Sequence, residues 1–251
     1  MSEVKHEVLL QAKGIYKNFE TSKKDQAVHA LTNVDLTLYR GETLALVGES
    51  GCGKSTLGRT LIRMLPATRG SVTFEGQNIT AMKNKKFAPL RRRMQMVFQD
   101  PYASLDPRMT VSDIIAEGMD VHHLYQNKAE RAEKIYGLLE KVGLNKEHAN
   151  RFIHEFSGGQ RQRIGIARAL IVEPEFIIAD EPISALDVSI QAQILNLLRQ
   201  GQEDFGPAYL FISHDLAVVD MLADRIMVMH KGRIVEHGDA DDIMQRPSNQ
   251  Y

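Results

Sequence analysis

Residues 48–56 form a glycine-rich segment whose residue types and spacing are suited to holding phosphate groups. Its sequence, GESGCGKST, fits the pattern G-x-x-x-x-G-K-[ST]. Glycines reach backbone conformations closed to other residues, so successive N–H groups can turn toward phosphate oxygens. An apolar run, 44–47, precedes the segment and a helical pattern follows it. The segment therefore predicts a nucleotide-binding loop made of Gly48, Glu49, Ser50, Gly51, Cys52, Gly53, Lys54, Ser55 and Thr56.

Two side chains of this loop have specific duties. Lys54 supplies a positive charge for the β- and γ-phosphates, and the Ser55 hydroxyl is placed to bind Mg²⁺. The helix that begins at the loop adds the positive end of its dipole. We therefore expect a nucleotide together with Mg²⁺ here. The alternative, a glycine-rich turn with a surface lysine, does not explain the strand before the loop or the helix after it.

An acidic pair, Asp180 and Glu181, follows the buried apolar run 176–179. A carboxylate at the end of such a strand lies beside the phosphate loop, where Asp180 can hold Mg²⁺ through water. Glu181 can point to the attacking water and serve as general base. The alternative is a pair that caps the next helix, and the upstream phosphate loop favours the catalytic interpretation.

The segment FSGGQ, residues 156–160, predicts a second anion site. Ser157 is suited to cap a helix, and the two glycines that follow leave exposed N–H groups at the helix start. Two such helix ends in a chain with a single phosphate-loop lysine make sense if the second serves another copy.

At this point the sequence resembles the nucleotide-binding subunits of ABC transporters, whose signature is [LF]-S-G-G-Q, and the match covers essentially the whole chain. The resemblance implies that ATP lies between the phosphate loop of one subunit and the signature of the other. The implied signature contacts are Ser157, Gly158, Gly159 and Gln160. It also implies an ATPase dimer.

The other elements of the family occur in the expected order, and each implies a role. Gln99, in VFQDP, looks like the glutamine that senses Mg²⁺ and the γ-phosphate. Asp187, in SALD, looks like part of the loop that reaches across the dimer. His214, in FISHD, resembles the switch histidine that contacts the γ-phosphate and steadies the water. Phe19, in IYKNF, aligns with the aromatic that stacks on adenine, with a core role for Phe19 and stacking by Tyr16 as alternatives.

Within the family, the strings 99–111 and 185–193 resemble the ATPases of di- and oligopeptide importers, a group whose close relatives import nickel or glutathione. The implied partners are transmembrane permease subunits, a binding protein outside the cell, and a second ATPase chain that is identical or paralogous. The implied location is cytoplasmic, on the inner face of the cell membrane. We expect the native protein to continue beyond Tyr251, because these ATPases commonly have an extension that can carry cysteines for an iron–sulfur cluster.

Composition agrees with a cytosolic globular protein. The 251 residues are 43% hydrophobic, and 31 Lys and Arg face 32 Asp and Glu, a net charge of −1. Proteins that mainly bind nucleic acid usually have an excess of basic residues, so the nearly equal numbers of basic and acidic residues argue against a nucleic-acid partner. One cysteine allows no intrachain disulfide and suits a reducing compartment. The N-terminus does not resemble a signal peptide, and the apolar runs are too short to cross a bilayer.

The elements that position these residues alternate short apolar strands with helices, which predicts an α/β fold with a mostly parallel sheet, an antiparallel β subdomain and an inserted helical subdomain. The resemblance implies that the core is of the P-loop (RecA-like) type. We expect one nucleotide-binding domain, 1–251, with its core in 1–99 and 158–251 and the helical subdomain at about 100–157. Predicted buried strands are 44–47, 96–98, 176–179, 209–212 and 226–229. Antiparallel strands are expected at 28–38 and 71–74, and a hairpin at 227–235. Predicted helices are 54–65, 110–119, 129–142, 160–171, 188–200 and 216–222.

Two other functional interpretations have less support. A soluble ABC ATPase acting on nucleic acid or ribosomes usually has two cassettes or a long coiled-coil insertion, and this sequence has neither. A non-hydrolysing regulatory cassette is disfavoured because Lys54, Asp180, Glu181 and His214 are all intact. The basic residues 83–86 and 91–93 predict a solvated face, and His122-His123 an exposed helix end rather than a metal site.

Overall fold

The computed structural model describes residues 7–20, 27–184 and 186–246. Ala185 of the SALD loop, the first six residues and the segment ending at Tyr251, on which the expected C-terminal extension rests, lie outside the described residues. The chain divides into two compact units, one of Met1–Ala88 with Ala208–Tyr251 and one of Pro89–Pro207.

Strands and helices alternate along the chain, as the α/β prediction requires. The strands are β1 (Val8–Phe19), β2 (Val28–Tyr39), β3 (Thr43–Val47), β4 (Arg69–Phe74), β5 (Gln77–Asn78), β6 (Met94–Val97), β7 (Phe176–Asp180), β8 (Ala208–Ser213), β9 (Arg225–His230) and β10 (Arg233–Asp239). The α-helices are α1 (Lys54–Leu61), α2 (Asn84–Arg93), α3 (Pro101–Ser104), α4 (Val111–His122), α5 (Lys128–Lys141), α6 (Gly158–Leu170), α7 (Val188–Phe205), α8 (Leu216–Asp220) and α9 (Ala240–Gln245). Short 3₁₀ segments cover Lys146–Asn150 and Ile153–Glu155.

The core of the first unit is built around β3, whose five residues are all buried. β3 pairs in parallel with β8 and with β9, and Val47 lies opposite Ser213 and Val228. Because these ends are in register, the residues that follow Val47 and Ser213 leave the sheet at one edge. β9 turns back into β10 as an antiparallel hairpin. The predicted strands 44–47, 209–212 and 226–229 and the predicted hairpin 227–235 are confirmed.

A second, antiparallel sheet of the same unit has the strand order β2-β1-β4-β5. The predicted antiparallel strands 28–38 and 71–74 are confirmed as β2 and β4. In β2, buried and more exposed residues alternate from Val34 to Leu38, which is typical of a sheet with one solvated face. β1 was not predicted. Its pairing with β2 shifts register between Ala12 and Ile15, around Gly14 at a φ of 56°, and this interrupts the alternation.

The second unit combines the parallel pair β6 and β7 with helices. The predicted strands 96–98 and 176–179 correspond to β6 and β7, and the predicted helices 110–119, 129–142, 160–171 and 188–200 correspond to α4, α5, α6 and α7. α5 ends before Gly143, whose φ of 71° is the left-handed value expected of a glycine after a helix. α7 extends to Phe205, five residues beyond the predicted end at 200. It ends there because the next residue, Gly206, adopts a left-handed φ of 71°.

Some predictions of element boundaries and types were wrong. The helix predicted at 54–65 ends at Leu61, because Arg63 adopts a left-handed φ of 60° and Pro66 disfavours helical geometry at the residue before it. The helix predicted at 216–222 ends at Asp220. The basic stretch contains α2, in which Phe87 is the only buried residue, so the polar face was recognised and the helix was not.

Candidate functional site

The phosphate loop, residues 48–56, joins β3 to α1, and close backbone contacts fix its shape. Gly48 has a φ of 149°, and a Cβ atom there would lie 2.1 Å from the Met229 carbonyl oxygen. Gly53 has a φ of 113°, and a Cβ atom there would lie 2.6 Å from the Ala30 carbonyl oxygen. Neither position accepts a side chain without movement of a neighbouring strand. The loop is therefore a backbone cradle held by β9 and by the start of β2.

Lys54 is 4% exposed, and its ammonium is held by the loop itself. Nζ donates hydrogen bonds to the carbonyl oxygens of Gly48, at 2.7 Å, and Glu49, at 2.9 Å. A buried ammonium needs such partners, since an unpaired one carries a large desolvation cost. The positive charge predicted for phosphate is therefore present at the loop with its position set by two backbone oxygens.

Cys52 lies in the middle of the loop and packs as a small buried residue. Its N–H donates to the Glu49 carbonyl at 3.2 Å, and its own carbonyl accepts from the Gly232 N–H at 2.8 Å. Burial raises the pKa of the Cys52 thiol above its ordinary value, and the nearby Lys54 charge opposes the shift. The thiol is therefore mainly protonated at neutral pH.

The residues present fit a bound nucleotide with Mg²⁺. At Gly48 and Gly53 the loop has no room for a Cβ atom, so its backbone stays open to phosphate. The first turn of α1 carries no acidic side chain that would repel phosphate. Ser55, half-buried in that turn, offers a hydroxyl oxygen. Described by itself, the second unit has the Asp180 carboxylate at the end of β7, where the residue is 1% exposed. Oxygen donors of these kinds are what Mg²⁺ prefers.

His214 and Phe19 belong to the same unit as the loop. His214 follows directly after β8 and is exposed, and the next residue, Asp215, caps α8 by accepting the Ala217 N–H at 3.0 Å. Phe19 ends β1 and is 38% exposed, which is not a core position. The Lys17 ammonium lies 4.8 Å from the centre of the Phe19 ring. The stacking role of Phe19 stays a prediction.

In the second unit, Gln99 and Glu181 meet. Gln99 Nε2 donates to Glu181 Oε2 at 3.0 Å and to Ser184 Oγ at 3.4 Å. Ser184 Oγ in turn donates to the Glu181 carbonyl at 3.1 Å. Glu181 has a left-handed φ of 45°, an uncommon conformation for a residue with a side chain, and such strain is concentrated at functional sites. We call Gln99, Glu181 and Ser184 the carboxylate cluster.

Ser184 lies in the SALD string, yet no contact was predicted for it. A serine three residues after the acidic pair, in a tight turn, was the available signal, because hydroxyls at such positions bond to nearby backbone. The structure shows this bond.

The signature residues lie at the start of α6, as predicted. Ser157 caps the helix: its Oγ accepts the Gln160 N–H at 3.3 Å, and Gln160 Oε1 accepts the Ser157 N–H at 3.0 Å. A Cβ atom at Gly159 would lie 2.6 Å from Cγ2 of Ile190 in α7. Gly158 is exposed, and Asp187 is exposed immediately before α7. The helix start is thus formed and rigidly capped.

Comparison with known proteins assigns the family. The family described as "ABC transporter" matches residues 31–184. The chain is 58% identical over 246 residues to the oligopeptide transport ATP-binding protein OppF of Bacillus subtilis, covering 98% of this chain and 80% of that protein. It is 54% identical to OppF of Streptococcus mutans, covering 97% of this chain and 79% of that protein.

Solved structures agree. A dimeric post-hydrolysis state of the ATP-binding cassette MJ0796 with ADP and phosphate has a TM-score of 0.84 and 27% identity, over 92% of this chain and 99% of that chain. CbiO1 from Clostridium perfringens, part of the ABC transporter complex cbiONQ, has a TM-score of 0.82 and 27% identity, over 96% of this chain and 92% of that chain. The described part of this chain contains no helix with the length and apolar character needed to span a bilayer. With its phosphate loop and capped signature helix in place, the chain belongs to the ABC transporter family.

Proposed function

We propose that this chain is the ATP-binding and ATP-hydrolysing subunit of an ABC importer for oligopeptides. The observation that carries the ATPase assignment is the loop 48–56, in which a buried lysine is held among backbone positions open only to glycine. The substrate class rests on the names of the relatives, which are oligopeptide transport ATP-binding proteins.

In this proposal the loop binds the phosphates of ATP. Lys54 exchanges the Gly48 and Glu49 carbonyls for phosphate oxygens, so its charge is never left unpaired. Ser55, Asp180 and Gln99 would hold Mg²⁺, which would neutralise phosphate charge. Phe19 stacks on the adenine. Catalysis is mainly positioning and electrostatics.

The carboxylate cluster supplies the base. Glu181 accepts a proton from the attacking water, and the bond from Gln99 orients its carboxylate. His214 steadies the same water and the γ-phosphate. The second half of the site comes from the other ATPase chain, through its residues corresponding to Ser157, Gly158, Gly159, Gln160 and Asp187.

The same proposal places the protein in a larger assembly. Two ATPase chains, identical or paralogous, bind permease subunits on the cytoplasmic face of the membrane, and an external binding protein presents the peptide. The residues at about 100–157 form the helical subdomain that contacts the permease, linked to the site by Gln99. This arrangement is supported by the relatives, which are ATP-binding proteins of transporters.

The test compares Glu181→Gln with the wild-type chain in the assembled transporter. Loss of the base is expected to lower phosphate release by about 10²- to 10⁴-fold while the Kd for ATP stays within about twofold. Uptake of oligopeptides is expected to stop. The measurements are phosphate release, ATP binding by calorimetry, and uptake of a labelled peptide.

The matched control is Glu173→Gln, because Glu173 is an exposed glutamate of the same unit with a similar left-handed φ of 52°. It is expected to behave as wild type. Near-normal hydrolysis by the Glu181 variant would remove Glu181 from its role. A wild-type transporter that takes up nickel or glutathione and no peptide would overturn the substrate class.

A further inference from the structure

A cavity of about 420 Å³ lies in the first unit, where β3 ends and α8 and α9 begin to cover the sheet. Its size is within the range of small-ligand sites. Apolar side chains dominate its lining: Val47, Val228, Leu216, Ile243 and Met244. Leu216 is 50% exposed, so the cavity opens to solvent beside an unusually exposed leucine. An apolar body can therefore enter it and gain burial.

The charged part of the lining is acidic. Glu49 and Glu236 line the cavity, and among the described residues that line it there is no lysine or arginine. Lys54, in the same loop as Glu49, is not part of the lining, and its ammonium is bonded to backbone carbonyls. An apolar floor with two carboxylates selects a ligand that joins an ammonium to an apolar group.

We propose that this cavity binds the amino-terminal end of a short apolar peptide. The peptide's ammonium lies between the carboxylates of Glu49 and Glu236, and its first side chains lie against Leu216, Ile243 and Met244. A free carboxylate is disfavoured beside these acids, so the ligand has at least three residues, which puts its carboxyl end outside. This inference rests on the proposed function, because imported oligopeptides are released on the side of the membrane where this chain works.

Occupation of the cavity affects hydrolysis through His214, which also lines it. The peptide contacts His214 and the first residues of the phosphate loop, and so holds His214 away from the position in which it steadies the attacking water. We expect slower turnover at unchanged ATP affinity. The cavity is thus a site of inhibition by the imported product.

Binding is measured by calorimetry on the full chain with the tripeptide Leu-Leu-Gly, at saturating ADP and Mg²⁺ so that the nucleotide site is filled. One-to-one binding is expected. The N-acetylated tripeptide keeps the apolar groups and loses the ammonium, and its affinity is expected to be lower by about tenfold or more. Equal binding of both peptides, or loss of binding when nucleotide is present, would overturn the proposal. Leucine amide binding as tightly as the tripeptide would also overturn it, because the ligand would then be an amine and not a peptide.

Two variants locate the site. Glu236→Gln removes one carboxylate and is expected to weaken binding about three- to tenfold, whereas Asp241→Asn, an exposed acid of α9 outside the lining, leaves it unchanged. Met244→Trp fills the cavity and is expected to abolish binding while the chain keeps its ADP affinity. If Asp241→Asn weakened binding as much as Glu236→Gln, the effect would reflect the overall charge of the protein and not this cavity. If Glu236→Gln and Met244→Trp both left binding unchanged, the peptide would bind elsewhere.

The effect on turnover is measured in the assembled transporter, each variant against its own rate without peptide. Leu-Leu-Gly is expected to lower phosphate release several-fold in wild type and to leave the Met244→Trp rate unchanged. Peptide uptake without peptide binding to this chain would contradict this inference alone. Peptide binding in a transporter that takes up no peptide would contradict the proposed function and leave the site standing.

Discussion

The phosphate loop of the first unit and the carboxylate cluster of the second unit are held in place by different means. The loop is fixed by backbone: Gly48 and Gly53 approach carbonyl oxygens so closely that no side chain fits. The cluster is fixed by side chains: Gln99, Glu181 and Ser184 meet through hydrogen bonds at a partly exposed surface.

The two regions are therefore expected to tolerate substitutions differently. The shape of the loop depends on close backbone contacts that a single added methyl group would disrupt. Substitutions in the loop should therefore affect folding and ATP binding together. Exposed hydrogen bonds contribute little to stability, so loss of a side-chain hydrogen bond in the cluster should affect chemistry alone. Measurements of stability, turnover and thiol reactivity distinguish these two ways of fixing a site.

The largest effect is expected from Gly48→Ala. The new Cβ would lie 2.1 Å from the Met229 carbonyl oxygen, at a φ of 149° that side chains rarely adopt. Strain and overpacking together should lower the free energy of unfolding by roughly 2–4 kcal/mol. The Kd for ATP should rise about 100-fold or more, because the cradle changes shape. Denaturant unfolding and calorimetry measure the two effects.

The control is Gly41→Ala, at the other end of β3. Gly41 is also left-handed, at a φ of 66°, but a Cβ there has nothing within 4 Å. Only the conformational strain remains, about 1–2 kcal/mol, and ATP binding should be unchanged. Equal loss of stability in both variants would show that the close contact at Gly48 is not what fixes the loop.

A smaller effect on turnover is expected from Gln99→Ala. Loss of the bond to Glu181 leaves the carboxylate present and less well oriented, which should lower phosphate release about tenfold. The melting temperature should stay within about one degree, because the bond is exposed. A clear fall in melting temperature would contradict the contrast between the two regions. Ser184→Ala, which removes the longer bond at 3.4 Å, should have a weaker effect in the same direction.

The smallest effect compares thiol reactivity in the two regions. Cys52 is 8% exposed and the pKa of its thiol is raised by burial, so at a given pH it holds less thiolate than an exposed cysteine. Iodoacetamide should label Cys52 about five- to tenfold more slowly at pH 8 than a cysteine introduced by Ser184→Cys in a Cys52→Ala background. The labelling rate of Cys52 should keep rising to higher pH, since its pKa is the higher one. Equal rates would mean that the loop opens as readily as the cluster.

The conformation of the loop was predictable from the sequence, because its backbone requires glycine at Gly48 and Gly53 and these glycines are fixed positions of the motif. The capping of α6 by Ser157 was predictable for the same reason, since a cap acts over three residues. Buried strands such as 44–47 were evident as short apolar runs.

What the sequence did not show depends on contacts between distant residues or on broken periodicity. The bond between Gln99 and Glu181 joins positions 82 residues apart, and no local pattern indicates it. The retention of the Lys54 ammonium by its own loop depends on side-chain geometry. β1 was missed because its register shifts interrupt the alternation, and α2 because one buried side chain, Phe87, makes no apolar stripe.

The left-handed backbone at Glu181 has a consequence for engineering this protein toward heat resistance. A residue with a side chain at a φ of 45° costs about 1–2 kcal/mol that glycine would recover. Selection for thermal stability alone would therefore favour glycine at Glu181, where it removes the proposed base, and equally at Glu173, where the φ of 52° has no assigned use. Stability and turnover compete at the first position and are independent at the second, so improvement of this cassette should begin at Glu173.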